Sequence, residues 1–314
     1  MYNGVINVYK ERGFTSFDVV AKLRGILRQK KIGHTGTLDP EAEGVLVVCL
    51  GKATKLCDVL TDKDKCYEAT LLLGKRTDTE DSTGKVLSEN EVNVTEQQVK
   101  ETILSYVGEY DQIPPMYSAI KVNGKKLYEL AREGIEIERK PRKVVIHEIR
   151  ILSMNLPYVT FQVSCSKGTY IRSLCRDIGE KLGCGAIMDS LIRERVNATE
   201  TGKVFTKEDA LMLEQIEKLV KANQFEEQVL PIDSMFPKMA KVKVTEAGNK
   251  KLYNGNLLKS FDFEQADDGG YTFLKMSDIE DGTECLVYDK EGCFTAIYKY
   301  HVSLRAWKAE KMFL

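Results

Sequence analysis

The chain has only three histidines and one tryptophan, and its eight cysteines contain no Cys-x-x-Cys pair. Without clustered soft ligands, a bound metal is not expected. Several cysteines (Cys49, Cys165, Cys285) lie inside apolar runs, where they read as small buried hydrophobes of a reducing compartment. No apolar run approaches the length of a membrane span. The opening Met1-Tyr2-Asn3-Gly4-Val5 lacks a basic segment followed by an apolar one, so no signal peptide is expected and the location reads as cytoplasmic. Charge of one sign is also missing: the formal net charge is −1. A phosphate-binding face would therefore have to be local. Lys22 to Lys31 and Lys121 to Arg150 are the two basic concentrations, and acidic residues gather from Asp262 to Glu284.

What is present is the balance of a folded globular protein, 43% hydrophobic and 30% charged, over 314 residues. That length suits two domains, or one with an appendage. The densest stretch runs from Lys31 to Gly44 and packs three glycines, His34 and an Asp39-Pro40 step between an amphipathic segment and the apolar run Val45–Leu50. Glycine serves where the backbone needs positive φ or a close approach, and a residue before proline resists helix. Asp39 is thus expected at a fixed point on a loop at the mouth of a strand. Alone, it also reads as the cap of a helical turn at Pro40–Glu43.

In chain order, Val5–Tyr9 reads as a strand. Thr15 or Ser16 starts a helix whose Val19, Val20, Leu23, Ile26 and Leu27 share a face. After strand Val45–Leu50, Lys65–Gly74 reads as another strand and 77–84 as a polar loop, with Lys85-Val86-Leu87 extended again. Thr95 and Gln98 form a capping box for a helix with Val99, Ile103, Tyr106 and Val107 on its apolar face, stopped at Gly108. Gln112–Ile120 is a rigid loop, Asn123-Gly124 a turn, and Lys125 to Arg132 a short basic helix. With little apolar content, Lys121 to Lys143 reads as a protruding, mobile arm. Val144–Met154 and Val159–Ser166 alternate as antiparallel strands do. Ile171, Leu174, Ile178 and Leu182 mark a helix ended by Gly183, with Tyr170 and Arg172 in its first turn, off the stripe. Asp189–Arg195 is a short segment, and Thr206 is expected to cap a helix to about Ala222. From about residue 240 the pattern is a small β-rich module with strands at Val242–Val244, Thr272–Met276, Cys285–Tyr288 and Phe294–Tyr300.

The string Gly-His-Thr-Gly-Thr-Leu-Asp-Pro at 33–40, continued by Glu-Gly-Val-Leu at 43–46 and Gly-Lys-Ala-Thr-Lys at 51–55, resembles the signature of the TruB family of RNA pseudouridine synthases. The resemblance extends to Lys-Cys-Tyr-Glu-Ala at 65–69 and Lys-Gly-Thr-Tyr-Ile-Arg at 167–172. It implies an α+β fold: a catalytic domain (1–237) with a mixed, largely antiparallel sheet and an inserted thumb at about 121–143, then a β-rich PUA-like RNA-binding domain (238–314). The activity it implies is isomerisation of uridine 55 in the T-arm loop of tRNA, with base flipping, by a monomer needing no cofactor, metal or protein partner. Two other readings stand beside it: an RNA-guided relative acting on ribosomal RNA, and a non-catalytic tRNA-folding chaperone.

Pseudouridine formation breaks the C1′–N1 bond of a uridine, turns the base and rejoins it through C5. The chemistry needs a carboxylate near the sugar, a clamp on the detached base and a shielded pocket. The resemblance makes Asp39 the catalytic aspartate, acting as nucleophile or as base. Tyr67 matches the tyrosine that lies against the target base and can take a proton, and Arg172 matches the arginine that pairs with the aspartate. His34 is carried over to stacking within the RNA loop, Tyr170 to the active site and Leu191 to the pocket wall. Lys10 and Lys55 match lysines near the site that serve phosphates, although Glu11 stands where the family pattern has proline. An arginine partner typically lowers a carboxylate pKa by about 1–3 units, so Asp39 is expected to be held ionised.

Overall fold

The computed structural model describes residues 1–61, 64–122, 124–198, 202–264, 270–272 and 279–314. Strand β1 (Gly4–Lys10) leads to helix α1 (Ser16–Ile26), and β2 (Ile32–His34) and β3 (Glu43–Leu50) follow. Thr15 caps α1 in a capping box with Asp18, satisfying N–H groups that the first turn leaves without partners. β3 is apolar on both faces because both are covered. Its alternation sends Leu46, Val48 and Leu50 against Val19, Leu23, Ile216 and Phe225, while Val45, Val47 and Cys49 meet Leu56, Phe205 and Phe236.

Helix α2 (Cys57–Thr61), β4 (Asp64–Leu73), β5 (Lys75–Thr77), β6 (Val86–Glu89), α3 (Glu96–Leu104) and β7 (Gly108–Gln112) come next. The capping box of Thr95 and Gln98 is present. The helix, however, ends at Leu104 instead of running to Gly108, and Val107 is exposed. Pairing decides this: Gly108, at φ +111°, opens β7 opposite Ile146, and that ladder draws the chain out of the helix.

The arm consists of β8 (Lys121–Val122), β9 (Lys125–Lys126) and α4 (Leu127–Arg132). It lies on the loop before it, with Leu127 N–H donating to Ile120 O at 2.8 Å, Tyr128 N–H to Ser118 O at 3.1 Å and Arg139 Nη1 to Pro114 O at 3.2 Å. Asn123 of the expected turn lies outside the described residues, as do residues 273–276 of the expected strand Thr272–Met276.

Strands β10 (Arg142–Asn155) and β11 (Tyr158–Cys165), helix α5 (Ile171–Lys181), β12 (Ala186–Ala198), β13 (Lys203–Thr206) and α6 (Leu213–Lys221) follow. The expected segment Asp189–Arg195 is the middle of the long β12. Thr206 does not cap a helix; it ends β13 opposite Arg195, and α6 starts only at Leu213. The intervening stretch is claimed by β1: Leu211 N–H donates to Asn7 O at 3.0 Å and Tyr9 N–H to Leu211 O at 2.9 Å.

Among the described residues these strands form a nine-stranded sheet, β1-β3-β12-β4-β11-β10-β7, with β2 on β3 and β13 on β12. Every pairing is antiparallel except β12 with β3. The mixed, largely antiparallel sheet expected from the sequence is therefore observed. Tyr67, Ala69 and Leu71 of β4 and Phe161 and Val163 of β11 face Val99, Ile103, Leu174 and Ile178 of the helices. The opposite face of these strands is polar, with Thr70 and Thr160 hydroxyls 3.1 Å apart.

A second, four-stranded sheet runs β14-β15-β16-β17, from β14 (Ala240–Lys243), β15 (Glu284–Tyr288), β16 (Phe294–His301) and β17 (Ala306–Met312). Helix α7 (Glu246–Tyr253), capped by Thr245, joins it; the sequence reading held only strands here. Leu286, Tyr288, Ile297 and Phe313 enter the same apolar cluster as Val45, Val47 and Phe236. The two sheets thus share a core. Phe313→Ala should cost about 3–5 kcal/mol, the usual range for emptying a buried aromatic site, measurable by urea denaturation. No helix among the described residues is long and apolar enough to cross a membrane.

Candidate active site

Strands β3, β12 and β4 lie side by side at the centre of the large sheet. The loop before β3 carries Asp39, β12 carries Leu191 and Arg193, and β4 carries Tyr67. Helix α5 packs across this region and brings Arg172. Sequence-distant residues therefore converge because strand order, not chain order, sets their spacing.

Asp39 does not cap a helix. Ala42 N–H donates to Asp39 O at 3.1 Å and closes a turn at Pro40–Glu41, which leaves the carboxylate free for another partner. Arg172 is that partner. Its Nε lies 3.0 Å from Asp39 Oδ2 and its Nη2 donates to Asp39 Oδ1 at 3.3 Å, a bidentate pair. The rest of the guanidinium is held by backbone: Nη1 donates to Thr79 O at 3.1 Å and Nη2 to Tyr117 O at 2.8 Å. Asp81 Oδ2 stands 3.7 Å from Nη1. The Arg172 side chain is 7% exposed, whereas that of Asp39 keeps 39%. The carboxylate is thus gripped from one side and open on the other.

Its electrostatics correct the sequence expectation. The Asp39 carboxyl is raised above its ordinary value, not lowered: desolvation by burial is the largest effect, and Asp81 adds to it, while Arg172 and Lys10 oppose it. The ion pair orients the carboxylate and offsets only part of the effect of burial.

Tyr67 is buried, and burial pushes its phenol up to about 12. It is therefore protonated at neutral pH and available as a hydrogen-bond donor, which weighs against the expected role of taking a proton. Leu191, two positions from Arg193 along β12, shares its apolar cluster with Tyr67 and Leu38. Tyr170 is the residue before α5; its N–H donates to Gln112 Oε1 at 2.7 Å and its carbonyl accepts from Gln112 Nε2 at 3.0 Å. Burial raises its phenol as well. His34 ends β2, half-buried, and its Nδ1 accepts from Gly36 N–H at 3.3 Å. Its imidazole is held below the ordinary value, first by burial and then by the charge of Arg193. It is neutral at pH 7, which suits a stacking role.

The two lysines expected to serve phosphates are placed differently. Lys10 is fully buried, with its ammonium donating to Pro40 O at 3.0 Å and Glu11 O at 3.1 Å. Burial lowers it to about 8, against the pull of Glu43 and Asp39. It holds the Asp39 turn from behind. Lys55 is not gathered with the others: its ammonium donates to Met312 O at 2.6 Å, and Lys311 Nζ donates to Lys55 O at 2.8 Å. It latches the two sheets together.

Several supporting residues were missed from sequence. Ser16, at the start of α1, accepts from Leu38 N–H at 2.9 Å. Glu80, at φ +64°, pairs with Arg176 and accepts from Ser173 Oγ at 2.8 Å. Arg176 also donates to Ile113 O at 3.0 Å. Both backbone segments that hold Arg172 are thereby tied to its own helix. The buried Arg193 was missed too. Its position two residues from Leu191 puts a charge on an apolar strand face, and that was the available signal. Among the described residues no group of three or more His, Cys, Asp or Glu is arranged to hold a metal ion.

Residues 24–171 match the family model described as TruB family pseudouridylate synthase (N terminal domain), and residues 172–237 match the tRNA pseudouridylate synthase B C-terminal domain. The chain is 55% identical over 320 residues to the tRNA pseudouridine synthase B of Lachnoclostridium phytofermentans, covering 99% of this chain and 100% of that one. It is 43% identical over 315 residues to the protein of the same name from Clostridium perfringens (strain 13 / Type A), covering 99% of each. Among solved structures, a chain of a Cbf5–Nop10–Gar1 complex aligns with a TM-score of 0.68 at 27% identity, over 99% of this chain and 85% of that chain.

Proposed function

This chain belongs to the TruB family of tRNA pseudouridine synthases, and on that premise we propose that it converts uridine 55 in the T-arm loop of tRNA to pseudouridine after flipping the base out of the loop. The bidentate pair of Arg172 with Asp39, on a turn open to one side, is the observation that carries this reading. The flipped ribose presents C1′ or its 2′ hydrogen to the Asp39 carboxylate, which acts as nucleophile or as base. As the C1′–N1 bond breaks, its electron pair goes to the base. The base turns between Tyr67 and Leu191, and C5 bonds to C1′ as the Asp39–C1′ bond breaks or, where Asp39 is the base, as the 2′ proton returns; the C5 proton is then released and N1 takes up a proton.

Unstacking a loop uridine costs a few kcal/mol. His34, neutral and half-buried at the end of β2, is the group that fills the vacated stack. The arm at 121–143 closes over the stem-loop, and residues 238–314 form the PUA-like module that touches RNA further out. The enzyme works as a monomer on bare tRNA. Its 55% identity over nearly its whole length to a protein named for tRNA, against 27% to a chain from the Cbf5 complex, supports this reading over a guide-dependent one.

The C5 hydrogen must leave, so tRNA transcript carrying tritium at uridine C5 gives a direct test. One equivalent of tritium released per tRNA is expected; release of none, or of several, counts against a single loop target. The pH profile gives a second test. Catalysis needs Asp39 ionised and its folded pKa is raised, so activity falls as pH drops through a value above the ordinary 3.8. An acid limb of the single-turnover rate at or below 3.8 would contradict the burial of this carboxyl.

A further inference from the structure

Arg193 is 2% exposed, and no carboxylate among the described residues lies within ion-pair distance of it. Its partners are neutral. Nε donates to Val45 O at 2.6 Å and Nη2 to Gly36 O at 3.3 Å, and Arg193 stands directly opposite Tyr67 in the β12–β4 pairing, where its charge acts on the phenol. Gly36 and Val45 bracket the Asp39 turn, so one side chain holds both ends of that loop. Gly44 permits the close approach of β3 to β12 that places Arg193 here. Gly44, at φ +104°, sits opposite Arg193 in the β3–β12 pairing, and a Cβ there would fall 2.2 Å from Arg193 O. A Cβ on Gly36 would lie 3.6 Å from Arg193 Nη1.

A guanidinium has donors and no acceptor. Toward Arg193 the Tyr67 oxygen can only accept, which leaves its own O–H to donate elsewhere. Burying a cation without a counter-ion is costly, and here the charge stands beside the phenol across the β12–β4 pairing, where Arg193 lies opposite Tyr67. We propose that Arg193 is a positioning residue for the reaction: it spans the Asp39 loop and makes the Tyr67 hydroxyl a strengthened donor to the base as negative charge develops on it. This rests on the reading of Asp39 and Tyr67 given above.

The test uses the full chain with tRNA transcript. Arg193→Gln should bind tRNA within about twofold of wild type and turn over about 10²–10³-fold more slowly in single-turnover assays. Arg193→Lys keeps the buried charge but cannot reproduce the planar fork, and should fall between. Should the glutamine variant fail to fold, the lysine variant carries the test. In a Tyr67→Phe background the effect of Arg193→Lys should shrink about tenfold, to the part that acts through the Asp39 loop, since the hydroxyl it acts on is gone. Turnover near wild type in both Arg193 variants, or the same loss with and without the Tyr67 hydroxyl, overturns the proposal. A slow Tyr67→Phe combined with either result confines the failure to Arg193. Wild-type turnover by Tyr67→Phe overturns the role of Tyr67 itself, and the donor role of Arg193 with it.

Discussion

Asp39→Asn is expected to slow conversion by about 10⁴–10⁶-fold, the range for removing a group on which chemistry depends. Binding of tRNA should stay within about threefold, because shape is kept and only charge is lost. The reason is local. Asp39 is fixed by a turn closed on its own carbonyl, by Lys10 on Pro40, by Ser16 on Leu38 and by Arg193 at both ends of the loop. None of these contacts uses the carboxylate. An amide therefore sits in the same place, still accepts one hydrogen bond from Arg172, and can neither attack C1′ nor take a proton. Single-turnover conversion and filter binding on one tRNA preparation separate the two effects. Conversion by the variant at near wild-type rate would remove Asp39 from the chemistry. Equal loss of binding and turnover would mean that the carboxylate serves the fold instead.

Arg172→Lys carries the second large effect, a loss of about 10²–10³-fold in turnover. The guanidinium spends two nitrogens on Asp39 and reaches the carbonyls of Thr79 and Tyr117 as well. A lysine ammonium is a compact charge that cannot span this set. Some of those oxygens would lose their donors in a buried site. A pH signature accompanies the loss. Arg172 is the largest influence lowering the Asp39 carboxyl against burial, so a poorly placed cation lets that pKa rise further. The acid limb of the variant should lie above that of wild type. Near-normal turnover, or an unmoved limb, would count against the ion pair as the device that orients Asp39.

Much of this was readable because local patterns agreed with the fold. The glycines and the Asp39-Pro40 step did mark a turn feeding a strand, the apolar run did mark β3, and the alternation did mark β10 and β11. Failures came where tertiary pairing overruled local signals. Thr206 looks like a cap, yet its backbone pairs in β13 and the next residues lie along β1. Gly108 looks like a helix stop, yet it opens β7 against β10. Lys55 sits in a motif string, but a distant carbonyl at Met312 takes its ammonium. The upward direction at Asp39 was not legible, because desolvation depends on how tightly the surrounding loops close. Arg172 was legible through its motif, whereas Arg193 offered only a charge on an apolar strand face, although both are buried. Only the pairing of Arg193 opposite Gly44 and Tyr67 gives it meaning, and no local window contains those three residues.

One measurement bears most directly on the central claim: single-turnover conversion of an unmodified T-arm stem-loop by the purified chain alone, mapped by pseudouridine-specific chemical labelling. Conversion at the one loop uridine corresponding to position 55, with no guide RNA or protein added, is the expected result. Tight binding with no conversion, or pseudouridine at a different position, would contradict it.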